Sequence, residues 1–442
     1  MLSLTSLGPA AALQPLARTG LRCFQRPAML ILLLLAFGLR TYQLDSQSLR
    51  GDEAASVHYS AMPITELWEL SRVTDPHPPF YYLMLHVWQW GLGRSAWAMR
   101  FAGVMASVVA VAALYGLARR TLCWPTLSLL AAGLLAINPL QIWLAQDIRS
   151  YPFFTLLGLL SAGALWRALR SNEAAQGQGR METPGFRLYL PRFRPWFLYI
   201  LLTVASFYIH YYTVFLIAFE GLFVLANINK FWRDRWLWLV SQIVIGLLII
   251  PGLLLAYNFV GQAAGGIETV ATPDLLRLAS TALLTGFTIS DGWGLWLSLL
   301  LAPVWLVGLA MLLRRDFLSG LFWLLFFAAP VLGVILLSLG RPFFKERFLI
   351  QGQPAFELLL AAGFLSLASR AGGAGQSSGH TSGKIPPGLV QQQLGRRFTF
   401  YTLRFGAYAL FLSLLFVNTF ALRNYFADPV YAKAPPWRFY YD

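Results

Sequence analysis

The chain has 442 residues, of which 57% are hydrophobic and 12% charged, about half the charged share of an ordinary globular protein. A water-facing surface cannot be assembled from that composition, so a string of soluble domains is excluded. A mean hydropathy of +0.58 and recurrent apolar runs of spanning length predict an all-α polytopic membrane protein instead. In such a chain the formal net charge of +15 reports loop topology rather than a nucleic-acid surface.

Taken in order, apolar runs of about 15 to 22 residues predict eleven spans, near 28–42, 96–117, 122–139, 151–168, 196–209, 211–228, 236–256, 294–313, 318–338, 349–369 and 401–421. Arg18, Arg22 and Arg26 precede the first run as in a signal sequence, but no small-x-small cleavage pattern follows, which predicts an uncleaved signal anchor. Cys23 and Cys123 offer neither a disulfide framework nor a metal spacing and read as ordinary thiols. The apolar stretch 78–93 is short, opens with Pro78 and Pro79, and carries His86 and Gln89. It is therefore placed along the outer face, not across the bilayer.

Eleven spans put alternate loops on opposite sides, and one side then collects 21 of the 34 Lys and Arg residues. The positive-inside bias makes that side cytoplasmic, with the amino terminus inside and the carboxyl terminus outside. It sums to +17, the outer side to zero, and 13 of the 19 acids lie outside. Acids contribute little to orientation, so their position has two candidate reasons, longer polar loops or function. The outer loops are 43–95, 257–293 and the tail from 423. The inner loops 171–195 and 370–400 are rich in Gly, Gln and Ser and read as linkers. No repeat and no separable soluble domain is evident, so 1–442 reads as one membrane domain.

Three stretches carry candidate chemistry. In the first outer loop, Arg50-Gly51-Asp52-Glu53 follows the first span, and Asp75-Pro76-His77-Pro78 comes later. A base for an incoming hydroxyl needs a carboxylate near low-dielectric surroundings, where desolvation raises its pKa, and Asp52 is placed for that. The same triplet also suits a plain helix start, with Asp52 as cap and Glu53 against the helix dipole. The second stretch, 138–151, interrupts two apolar runs with Gln146, Asp147, Arg149 and Tyr151. Asp147 and Arg149 either bridge each other or face a cavity shared with the first loop. The third stretch sets Arg341, Lys345 and Arg347 within seven residues on the side where cations are sparse. Phosphate binding by Lys and Arg competes there with simple snorkelling at a helix end.

Five histidines occur. His77 and His210 are placed to meet as metal ligands or hydrogen-bond partners, whereas His58, His86 and His380 lie in helical or linker sequence. No metal-spacing motif, Walker motif, dinucleotide fingerprint or nucleophile elbow is present, so no metal site is assigned from the residues.

Together these features resemble the polyprenyl-phosphate-dependent GT-C glycosyltransferases, a group that includes protein O-mannosyltransferases and lipid A aminoarabinose transferases. The resemblance rests on Gly51-Asp52-Glu53 after the first span, His77-Pro78-Pro79-Phe80-Tyr81-Tyr82, Arg100 opening the next span, Gln146-Asp147-Ile148-Arg149-Ser150-Tyr151, His210-Tyr211, and Arg347 followed by Pro354. It implies an inverting transferase that takes a sugar from a polyprenyl-phosphate donor at the outer face of a membrane, with outer-face juxtamembrane helices. Asp52 matches the family's catalytic acid and would be the general base. Lys345 and Arg347, with Arg149 as a further candidate, would stabilise the departing phosphate. Glu53, His77, Asp147, Tyr151 and His210 would shape the pocket, and a divalent metal, bound in some relatives, stays open. Asp147 stands where relatives commonly carry Glu. The tail stops at Asp442 where many continue into a folded outer domain, which leaves the acceptor open among glycolipid, polysaccharide and protein. A bacterial plasma membrane is expected, since neither a retention signal nor a long glycosylated loop is found. The rival reading is a secondary transporter or flippase of lipid-linked substrates, which would gather ionisable groups near the midplane and show related halves.

Overall fold

A computed structural model describes residues 9–73, 77–171, 190–260, 272–339, 344–369 and 387–428. Asp75, Arg341, His380, most of both inner linkers and the tail beyond 428 lie outside these residues. The described residues form helices and one 3₁₀ turn, without strands. Helix α1 (Pro9–Thr41) carries the first apolar run, and α2 (Gly51–Ala61), α3 (Ile64–Val73) and α4 (Phe80–Leu92) follow as short helices. Helix α4 is the 78–93 stretch, and it packs on α2 and α5. Next come α5 (Ala96–Leu122), α6 (Pro125–Ile137), α7 (Pro139–Ala145), α8 (Tyr151–Leu169), α9 (Leu190–Ile209) and α10 (Thr213–Ala226). The chain continues through α11 (Arg235–Val260), α12 (Thr272–Thr285), α13 (Asp291–Arg315) and α14 (Phe317–Ser338). The 3₁₀ turn Glu346–Gln351 then leads into α15 (Gln353–Ser369) and α16 (Pro387–Ala427).

The eleven apolar runs fall largely on helices, but 122–139 reaches the break between α6 and α7 and 349–369 opens inside the 3₁₀ turn. Among the described residues six helices are long and apolar enough to cross a bilayer, or seven if α6 and α7 form one broken span, which makes the chain a multi-pass membrane protein. Helices α9, α10 and α15 have shorter apolar parts. The apolar stretches of α8 and α5 are 72% and 56% buried against 22% each for α11 and α16, so the first pair forms the core and the second faces lipid. Where α13 crosses α15, a Cβ on Gly308 or Gly363 would collide with the opposite backbone. Small residues permit this approach, and dispersion contacts between backbones replace the hydrophobic drive that lipid cannot supply.

The break between α6 and α7 shapes the end that holds the candidate site. Pro139 has no N–H to offer the carbonyl four residues earlier, so the helix ends and restarts at an angle of 57°. The side chain of Asn138 caps the new helix by accepting from the Gln141 N–H at 3.1 Å. The freed carbonyls of Leu135 and Ala136 accept at 3.2 and 2.8 Å from the guanidinium of Arg40, which is fully buried and also donates to Ser107 Oγ at 2.8 Å. A cation at a helix carboxyl end is favoured by the dipole as well. Two acids on apolar helices are likewise bonded. Glu220 accepts from Ser161 at 2.7 Å, and Glu357 accepts from Asn138 at 2.8 Å and Gln353 at 3.1 Å.

Candidate active site

Helix α2 begins where the sequence predicts, but by a different residue. The Glu53 carboxylate, three positions into the helix, reaches back to accept the Arg50 N–H at 3.1 Å. Glu53 is fully buried and holds Arg100 through two bonds of 2.9 Å. Arg100 in turn donates to the carbonyls of Leu44, Gln47 and Ser48, and Glu53 accepts the Ile148 N–H at 3.2 Å. One buried ion pair thus fastens the 44–48 loop, the start of α2, the start of α5 and the 146–150 turn together. Gln146 adds a second tie, donating to the carbonyls of Arg40 and Tyr42 and accepting from Tyr425 of α16.

These ties leave Asp52 on the open side of α2, half-exposed at 46%, facing the 3₁₀ turn. Arg347 donates to its Oδ2 at 3.2 Å, and Arg50 lies 4.0 Å from the same oxygen. Arg50 also donates to Asp147 Oδ2 at 3.3 Å, which links the two carboxylates through one guanidinium. Asp52, Asp147, Glu346, Arg50, Lys345, Arg347 and Trp143 line a cavity of about 450 Å³, and Phe287 meets Trp143 edge-on at its wall. The Nε of Arg347 is buried without a hydrogen-bond partner. That atom is an unused donor beside the cavity.

Burial acts to raise the pKa of Asp52, as expected from its low-dielectric setting. The nearby Arg149, Arg347 and Arg50 outweigh it, however, and hold the carboxyl below its ordinary value. The expectation of a base strengthened by desolvation is therefore corrected: three guanidinium groups keep Asp52 ionised and weakly basic.

Arg149 and His77 meet behind this cavity, with Arg149 Nη2 2.6 Å from His77 Nε2, so the ring nitrogen accepts. The buried ring of His210 stacks on Phe154 at 4.6 Å, and its Nδ1 accepts the Tyr212 N–H at 3.3 Å. Burial first, then His77, Arg149 and Arg347, pull its pKa down to about 3, so His210 is a neutral aromatic spacer at physiological pH. Tyr151 packs between His210 and Phe348, with the Arg347 guanidinium 5.6 Å from its ring centre.

The structure thus brings the three sequence stretches to one end of the bundle. Asp52, Asp147, Lys345 and Arg347 face the cavity directly. Glu53, His77, Arg149, Tyr151 and His210 are not among its lining residues and support those that are. Of the three acidic residues that line the cavity, Asp52 and Asp147 are bonded to arginine and Glu346 is the third, and among the described residues no group of three His, Cys, Asp or Glu side chains is placed to hold a metal. Among the described residues the donor set does not fit a divalent ion. Three contributors escaped the sequence reading. Arg50 sits in plain view beside Gly51, and Trp143 lies inside the interrupted stretch, so both had a signal. Phe287 comes from an outer loop with no chemical mark.

No family model matches the sequence, and no curated protein matches it. Solved structures do resemble the fold. ArnT from Cupriavidus metallidurans bound to undecaprenyl phosphate superimposes with a TM-score of 0.54 at 14% identity, over 91% of this chain and 76% of ArnT. The oligosaccharyltransferase of Archaeoglobus fulgidus in its apo form gives 0.56 at 12% identity, over 94% of this chain and 57% of that longer one. The chain therefore shares the fold of ArnT and of this oligosaccharyltransferase, in line with the expected resemblance.

Proposed function

We propose that this chain is an inverting glycosyltransferase that moves a sugar from a polyprenyl-phosphate donor to an acceptor at the outer face of the bacterial plasma membrane. One observation carries the reading: a half-exposed carboxylate, Asp52, shares a single cavity beside an aromatic wall with Arg50 of its own segment and with Lys345 and Arg347 of a segment distant in sequence. The GT-C fold supports it, and so does the undecaprenyl phosphate bound to ArnT. The mid-bundle acids Glu220 and Glu357 are tied into hydrogen bonds, which favours an enzyme with chemistry at one end over a transporter with a midplane site.

In this mechanism Asp52 Oδ2 takes the proton of the acceptor hydroxyl as its oxygen bonds to the anomeric carbon. The bond from that carbon to the phosphate oxygen breaks, and its electron pair stays on the phosphate. A phosphate leaves as an anion without protonation, so a second catalytic acid is unnecessary. Lys345, Arg347 and Arg50 meet the charge that develops there, and arginine's fork matches two phosphate oxygens at once. Arg347 already donates to Asp52, so a bound phosphate competes for that guanidinium and releases the carboxylate to act as base. The donor would thereby activate its own catalyst. On this reading the site end faces outward, with the amino terminus in the cytoplasm and the carboxyl terminus outside, which the distribution of Lys and Arg supports.

The experiment is transfer from a radiolabelled polyprenyl-phosphate sugar by the purified chain, with acceptors drawn from glycolipid, polysaccharide and protein pools. Asp52→Asn is expected to lower turnover by roughly 10²- to 10⁴-fold, the range of a lost general base. Unchanged transfer in that variant refutes the assigned base.

A further inference from the structure

At the opposite end of the bundle a second, larger cavity of about 1220 Å³ opens between α5, α8 and α9. On α5 its lining positions run 109, 112, 113, 116, 117 and 120, and on α8 they run 159, 160, 163, 164 and 167. Both sets are helical stripes, apolar along their length and ended by a cation, Arg120 on α5 and Arg167 on α8. Arg194 from the start of α9 joins them in the lining. All three arginines are exposed, and none has a carboxylate partner among the described residues.

The depth of the groove comes from small residues. A Cβ on Gly116 would meet nothing within 4 Å, and one on Gly163 would meet only Leu117 Cδ1 at 3.8 Å. Along α5 the stripe from 109 to 120 spans about 16 Å at 1.5 Å per residue, close to the roughly 15 Å depth of one leaflet's hydrocarbon. A soluble anion needs the three cations but not the apolar floor, and a neutral lipid needs the floor but not the cations.

We infer that this groove is a binding site for an anionic glycerophospholipid of the leaflet opposite the candidate active site. One acyl chain lies along the small-residue floor of α5 and α8, and the phosphate sits among Arg120, Arg167 and Arg194. The occupant is a resident lipid, held apart from the chemistry at Asp52.

Native mass spectrometry of the full chain in detergent, titrated with phosphatidylglycerol and phosphatidylcholine, tests the inference. Phosphatidylglycerol is expected to bind in preference to phosphatidylcholine. Replacing Arg120, Arg167 and Arg194 together by Gln is expected to weaken it on the order of a hundredfold, as three interfacial cations imply. Gly116→Phe fills the floor while keeping all three charges, and is expected to abolish binding. Asp52→Asn is expected to bind as the parent does. Equal binding of the two lipids, or undiminished phosphatidylglycerol binding by both the triple variant and Gly116→Phe, overturns the inference. Displacement by millimolar inorganic phosphate would show a site for soluble anions, and preference for a polyprenyl phosphate a second donor site. Either result overturns it as well.

Discussion

At the end that carries Asp52, the guanidinium groups of Arg50, Arg100 and Arg347 each lie within 3.3 Å of a carboxylate. At the other end Arg120, Arg167 and Arg194 border an apolar groove with no such partner among the described residues. The contrast separates two uses of one side chain in a membrane protein. Paired arginines hold a geometry, and a ligand must displace a carboxylate to reach them, which confers selectivity for a strong anion. Unpaired arginines at a lipid boundary attract any anionic headgroup, and the shape of the floor beneath them sets what stays.

The paired end offers the sharpest ways to break this contrast. Arg100→Ala leaves the Glu53 carboxylate buried without its cation, and removal of one partner from a buried pair costs about 3–5 kcal/mol. Thermal unfolding in detergent is expected to show a lower midpoint, with transfer lost along with the fastening of the 44–48 and 146–150 segments. An unshifted midpoint would mean that the pair does not hold the site. Arg347→Gln acts on chemistry instead. It is expected to lower turnover by roughly 10²- to 10³-fold, the usual effect of removing one group that stabilises a developing anion, with the unfolding midpoint near that of the parent. Arg40→Met acts at the break between α6 and α7. It strands the carbonyls freed at Leu135 and Ala136, and an unsatisfied buried polar group costs about 1–3 kcal/mol, again read from the unfolding midpoint.

The helical class and the positions of the apolar runs were legible because a bilayer demands long apolar stretches and closes their backbone hydrogen bonds within each helix. The convergence of Asp52, Asp147, Lys345 and Arg347 was legible as well, since ionisable residues near apolar runs require a reason to be there. What escaped was partner choice. Asp147 and Arg149 stand two residues apart, yet Asp147 accepts from Arg50 and Arg149 meets His77, because the 146–150 turn sends the two side chains toward different elements. Glu53, expected in the pocket, faces Arg100 because α5 starts directly behind α2. The 57° break at Pro139 falls at the end of a run expected as one span, and its consequence, a buried Arg40, depends on α1 packing against α6. Such pairings are fixed by tertiary packing and leave no local periodicity.

The smallest expected effect concerns acidity, and it distinguishes electrostatic control of Asp52 from simple support of the fold. The charged groups that face Asp52 are Arg347 from the 3₁₀ turn, Arg50 from its own segment, and Arg149 from the turn before α8. Lys345, Glu346 and Asp147 share the cavity. Burial acts against the ionised form and the arginines act for it, with the net pKa below the ordinary carboxylate value. Asp52 is therefore ionised throughout the neutral range, and kcat/KM is expected to fall only when the pH drops through that depressed pKa. His210, with a pKa of about 3, adds no step near neutrality. Arg149→Gln removes a cation that does not line the cavity. The burial effect then meets less opposition, the pKa of Asp52 rises, and the acid limb of the kcat/KM profile moves to higher pH while the plateau changes less than in Arg347→Gln. An acid limb that stays in place, with a uniformly lowered plateau, would mean that Arg149 serves His77 and the turn alone.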